Sequence, residues 1–201
     1  MKHKINNHIL VLNEIKLHLK EQLDFNMKIG FCGTMSVGKT TLVKALKELP
    51  EFKDYTFRTD RSKYLMEMGI PLNTDSTLKG QLVFAAERAS ELMQEKIITD
   101  RTIVDVMAFA NLSKSMEAHE KHYLTSTLYY LIKEYDILFY VSPEGVEIEN
   151  NGVRETDAKY RIAIDKEIKS ITQMFRGNTI TIKGTIEERI EQVKSAVAQY
   201  V

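Results

Sequence analysis

Gly33-Thr34-Met35-Ser36-Val37-Gly38-Lys39-Thr40 decides how this chain is read. The letters fit G-x-x-x-x-G-K-T, the pattern of a phosphate-binding loop. Upstream, Met27-Lys28-Ile29-Gly30-Phe31-Cys32 is short and mostly apolar, as a buried strand is. Downstream, Thr41 to Leu49 carries apolar residues at helical spacing and stops at Pro50. Strand, glycine loop and helix, in that order, are the context the motif needs. The glycines let backbone wrap an anion without a side chain in the way. Loop amides and the helix N-terminus point at that anion. Gly33, Thr34, Met35, Ser36, Val37, Gly38, Lys39, Thr40 and Thr41 are therefore the candidate nucleotide-binding stretch. Lys39 is expected to reach the β- and γ-phosphates, and the Thr40 hydroxyl to hold Mg²⁺.

Outward from the loop, helical and strand patterns alternate. Residues 3–24 carry Ile5, Ile9, Leu12, Ile15, Leu19 and Leu23 as one apolar stripe, so residues 1–26 read as a helical extension. That stripe packs back on the sheet or serves a homodimer or partner contact. Residues 27–201 read as one nucleotide-binding domain with a lid around 144–161. Tyr55 to Thr59 is strand two, and Asp60 begins a short helix stopped by Gly69 and Pro71. Asp75 or Ser76 is the expected cap of a long helix reaching about Glu95. Its buried face is read as Leu78, Leu82, Ala85, Ala89 and Leu92.

Strand three, Lys96-Ile97-Ile98-Thr99-Asp100, ends in a carboxylate where a second Mg²⁺ ligand belongs. Arg101 follows, so the Asp-Glu pair of motor ATPases is absent. Two helices, strand four (residues 136–141), a polar stretch with Asn151-Gly152, a helix from Asp157, strand five (178–183) and a last helix complete the chain. The expected fold is α/β: a five-stranded parallel sheet with helices on both faces, plus the N-terminal helix. Ligands then sit at the carboxyl ends of the strands, where the loop, Asp60 and Asp100 gather.

Composition bounds the function. The 201 residues suit one α/β domain with a sizeable core. With 28 basic and 28 acidic side chains, no polyanion attraction is built in. One cysteine, Cys32, excludes an internal disulfide, reads as a buried small apolar residue, and suits a cytoplasmic setting. No apolar run approaches the ~20 residues of a membrane span, and Ile9-Leu10-Val11-Leu12 is too short for a signal-peptide core. His119 and His122 stand three apart without a third ligand near, which is a poor metal set.

Three stretches carry a resemblance over residues 27–198: the loop, Ile97-Ile98-Thr99-Asp100-Arg101-Thr102-Ile103-Val104-Asp105, and Asn151-Gly152-Val153-Arg154-Glu155-Thr156-Asp157-Ala158-Lys159-Tyr160-Arg161. The chain resembles the P-loop nucleoside and nucleotide kinase superfamily. Within it, it is similar to the ATPase/kinase family that includes nicotinamide riboside kinase domains. The resemblance implies transfer of the γ-phosphoryl group of ATP, with Mg²⁺, to a small acceptor. It makes Arg154 and Arg161 lid arginines on the phosphates, and Arg101 a residue for acceptor or phosphate. Gly184-Thr185 before Glu187-Glu188-Arg189 resembles the segment flanking adenine. Gln81 and Arg88 lie on the helix that would wall the acceptor site in such kinases, or are plain surface. Related kinases often carry a glutamate after strand two; this chain has Arg58-Thr59-Asp60-Arg61. Asp60 is either general base or helix cap. Arg58 and Arg61 suit an acceptor that already bears phosphate. Asp105 either orients Arg101 or caps its helix. A nucleic-acid acceptor (a 5′-hydroxyl end or a hydroxymethylated base) is an alternative that the balanced charge disfavours. A nucleotide-binding regulatory ATPase is the alternative of another class.

Overall fold

The computed structural model describes residues 26–146, 157–174 and 179–200. The helix expected over residues 3–24, Arg154 and most of the expected lid lie outside the described residues. Within them, β1 (Lys28–Cys32) leads through the glycine loop into α1 (Lys39–Lys47). Then come β2 (Thr56–Arg58), α2 (Ser62–Glu67), α3 (Leu78–Glu91), β3 (Ile97–Asp100), α4 (Ile103–Asn111) and α5 (Ala118–Ile132). Last are β4 (Ile137–Val141), α6 (Ala158–Met174), β5 (Thr179–Ile182) and α7 (Ile186–Val197).

The strands form one parallel sheet in the order β2-β3-β1-β4-β5. The central strands are buried along nearly their whole length, which is why they read as apolar runs rather than alternating ones. On one face, Leu42, Val43 and Leu46 of α1 and Val193 of α7 pack over Phe31 and Phe139, whose rings stack at 5.1 Å. On the other, side chains of α4, α5 and α6 pack on Leu138 and Tyr140. The helix after β1 and the helices after β3 and β4 thus lie on opposite faces. The carboxyl ends of β1 and β3 open a crevice between them. Phe31 pairs in register with Asp100, so the loop and that carboxylate emerge side by side.

The long helix departs from expectation. Its cap is Thr77, whose hydroxyl oxygen accepts from the Gly80 amide, not Asp75 or Ser76. Asp75 closes a single 3-10 turn, Asn73–Asp75. The Ser76 carbonyl accepts from the Ser113 hydroxyl, and the Thr74 carbonyl from the Lys114 amide. Those bonds hold the chain extended at Ser76 and delay the helix by a residue. Leu82, expected inside, is 50% exposed. Ala85 and Leu92 are buried as expected, but the buried face also carries Gln81, Arg88 and Glu91, of which Gln81 and Arg88 line a cavity.

Gly30 shows how tightly the centre is built. A Cβ there would stand 2.6 Å from the Thr102 methyl and 2.8 Å from the Tyr135 ring, both buried. Gly30→Ala will cost about 1–3 kcal/mol of stability, seen as a lower thermal midpoint. Adding Thr102→Ser, which removes the methyl and keeps the hydroxyl, will recover part of the loss. No helix of the described residues is long and apolar enough to cross a membrane.

Candidate active site

The glycine loop takes its shape from three left-handed residues. Gly33 has φ +151°, and a Cβ on it would meet the Val141 carbonyl at 2.8 Å. Gly38, at φ +83°, caps α1, and Ser36 holds φ +57°. Residues from elsewhere fasten the loop. Asp105 accepts from the Gly33 amide at 3.4 Å. The Thr34 hydroxyl donates to the Arg161 carbonyl at 3.1 Å. Arg189 of α7 donates to the Val37 carbonyl at 2.5 Å. Thr41 lies exposed in the first turn of α1.

Lys39 is 6% exposed, and its ammonium donates to the Gly33 carbonyl at 2.6 Å and the Thr34 carbonyl at 2.8 Å. Burial and the nearby Arg101 charge pull it below the usual lysine range. The Thr40 hydroxyl donates to Asp100 Oδ2. Asp100 is 1% exposed, and its Oδ1 is buried with no hydrogen-bond partner among the described residues. Burial pushes its carboxyl up, against Lys39 and the Thr40 hydrogen bond. A hydroxyl and a carboxylate with an oxygen to spare are the donor set of a hard divalent cation, so these two residues fit Mg²⁺.

Next to this pair lies a cavity of about 420 Å³, within the range of small-molecule sites. Phe84, Val106 and Phe109 give it apolar walls, and Gln81 and Arg88, each 3% exposed, line it as polar groups. The Gln81 side-chain amide makes no hydrogen bond among the described residues. Arg88 donates to Glu91 at 2.7 Å. Burial, only partly offset by Arg88, pushes the Glu91 carboxyl up to about 7.

Asp60 and Arg101 pair in the wall of the same cavity, Nε to Oδ2 at 3.0 Å. Asp60 Oδ1 accepts from the amide and hydroxyl of Ser62, so the carboxylate also opens α2. Burial opposes its ionisation, but Arg101 and Ser62 hold it well below the usual carboxylate range. Arg101 lies 5.1 Å over the Phe109 ring and 3.8 Å from Asp105, and keeps a left-handed φ of +84°. Such strain in an arginine costs about 1–3 kcal/mol and collects at functional sites. Asp105 does both things expected of it. It faces Arg101, and it closes a capping box with Thr102.

The sequence-read residues thus converge on one crevice: the loop, Lys39, Thr40, Asp60, Asp100, Arg101 and Asp105. Arg161 is brought to the loop through its backbone. Its Nη1 donates to the Val146 carbonyl at 2.8 Å, while Nε and Nη2 are buried without a partner among the described residues. Gly184, at φ +97°, and Thr185 begin α7, where Thr185 and Glu188 form a capping box. Arg58 does not line the cavity, and Arg61 is engaged by Glu87 at 3.0 Å and lies over Tyr64. His119 pairs with Glu117 on the surface. Cavity-lining residues not read as site residues from sequence include Lys44, Lys63, Phe84, Val106 and Phe109, and the tie from Arg189 to the loop was not foreseen. Lys44 was findable, because it stands one helical turn beyond Thr40.

A family model described as an AAA domain matches residues 28–189. No curated protein matches the chain in sequence. Among solved structures, a deoxyadenosine kinase from M. mycoides, with dCMP and dCDP bound as products, has a TM-score of 0.61 at 16% identity. That match covers 87% of this chain and 100% of the other. NadR protein in complex with NR has a TM-score of 0.66 at 16% identity, covering 88% of this chain and 52% of that one. This chain therefore spans about half the length of NadR. The two likenesses establish a P-loop nucleotide-kinase-like fold.

Proposed function

Because this chain belongs to the AAA domain family and keeps the phosphate-binding loop intact, we propose that it is an ATP- and Mg²⁺-dependent kinase. Its γ-phosphoryl acceptor is a nucleoside, a nucleotide or a related small molecule. One observation carries the reading. Thr40 of the Lys39-Thr40-Asp100 cluster lines a cavity of about 420 Å³, and so does Gln81, whose side-chain amide has no hydrogen-bond partner among the described residues. A nucleotide switch has no use for a second ligand beside the γ-phosphate, whereas a kinase needs one there.

The residues then divide the work. Lys39 steadies the β- and γ-phosphates, and Arg161, with Arg154, adds positive charge as the phosphoryl group moves. Thr40 and Asp100 would hold Mg²⁺, which when bound neutralises phosphate charge. Gly184 and Thr185 sit at the adenine edge. Arg101 approaches the transferring group from the acceptor side. Gln81, with donors and an acceptor on one amide, suits the polar edge of a nucleobase, and Phe84 and Phe109 suit its faces. The proposed setting is the cytoplasm, and the proposed partner is the small acceptor. With γ-labelled ATP, label will pass to a small acceptor. Release of phosphate at one rate, with or without every acceptor offered, would overturn the kinase reading.

A further inference from the structure

The charges around the cavity are matched, except for two. Arg101 faces Asp60 and Asp105, and Arg88 faces Glu91 and Glu87. Lys44 and Lys63 line the same cavity and have neither ion pair nor hydrogen bond among the described residues. Lys44 stands one turn beyond Thr40 on α1, and Lys63 follows Ser62, which holds Asp60. Both lysines are exposed and stand at the rim of the cavity that Thr40 and Asp60 also line.

The carboxylates that line the cavity point the same way. A hydroxyl acceptor needs a base to take its proton. Asp60 has one oxygen on Ser62 and the other on Arg101. Asp105 has one oxygen on the backbone and hydroxyl of Thr102, and the other on Gly33. Both are occupied in holding the site together. A phosphate monoester needs no base, since it is already largely dianionic above its second pKa of about 6.

From the two free lysines and the engaged carboxylates, and resting on the kinase reading above, we infer that the acceptor is a nucleoside monophosphate whose phosphate sits between Lys44 and Lys63. One non-bridging oxygen of that phosphate bonds to the γ-phosphorus of ATP as the bond from that phosphorus to the β,γ-bridging oxygen breaks. The electron pair leaves with ADP, no proton has to be removed, and the products are ADP and a nucleoside diphosphate. Asp60 is then a positioning residue for Arg101, not the base.

The test uses the full chain with γ-labelled ATP and magnesium. Ribo- and deoxynucleosides are offered in parallel with their 5′-monophosphates. Label will appear in a nucleoside diphosphate, with kcat/KM at least about 100-fold above that of the matching nucleoside. A labelled monophosphate made from a nucleoside with equal or greater kcat/KM overturns the inference and leaves the kinase reading standing. Free labelled phosphate with no labelled acceptor overturns both. Lys44→Ala and Lys63→Ala will each raise KM for the active monophosphate about tenfold, more than they raise KM for ATP, and arginine at either position will restore much of it. Unchanged KM in both alanine variants overturns the phosphate seat. Asp60→Asn will lower kcat by loosening Arg101, and in an Arg101→Ala background it will add little further loss. Losses that multiply in the double variant, as an independent general base requires, overturn its positioning role.

Discussion

Lys39→Ala will lower kcat/KM for phosphoryl transfer by about a thousandfold without unfolding the protein. The ammonium sits 2.6 and 2.8 Å from two loop carbonyls, in a setting that burial has stripped of water. Burial, with the Arg101 charge, also weakens its hold on its own proton, so the folded protein keeps a poorly solvated cation where phosphate is expected. Loss of one preorganised donor to transition-state charge costs ~10²–10³ in rate, and a full positive charge stands at the upper end. Stability should move little, because removing a costly buried charge offsets the lost hydrogen bonds. Steady-state kinetics and a thermal melt on the same sample check both halves. A variant that melts normally and turns over within tenfold of wild type would remove Lys39 from the site.

Asp100→Asn will lower kcat by two to three orders of magnitude, with a sharply higher magnesium requirement. The substitution keeps shape and an oxygen for the Thr40 hydroxyl, so the loop stays in place. What goes is the negative charge beside a buried oxygen that has no protein partner among the described residues. Weakening a metal's surroundings commonly costs 10–100-fold in affinity, and losing a charged ligand costs more. The measurement is activity against magnesium concentration at fixed ATP. An unchanged half-saturation point would show that Asp100 does not serve the metal.

Most of the fold was legible because its signals are local. The glycine loop, the apolar β3 and β4, and the Asp100-Arg101 step are each contained in a few consecutive residues. The sheet order was not legible, since it depends on which strands pair at long range. The face of α3 was misread for a related reason. Helical periodicity assumes that the buried side is apolar, and here it also carries Gln81 and Arg88, which line a cavity, and Glu91, which pairs with Arg88. Asp60 could be read as base or cap, because a carboxylate can serve either role there. Only its contacts with Ser62 and Arg101 show how its oxygens are used. Lys63 gave no sign, as a lysine on a short exposed helix looks like any other.

The three ties on the glycine loop bear on the heat of nucleotide binding. Gly33, Thr34 and Val37 are held by Asp105, Arg161 and Arg189, from three different helices. A loop whose shape is set by the rest of the domain has little backbone freedom left to surrender when a phosphate arrives. Calorimetry should therefore show association with only a small conformational-entropy penalty from this segment, and affinity limited by desolvation of the anion rather than by ordering of the protein.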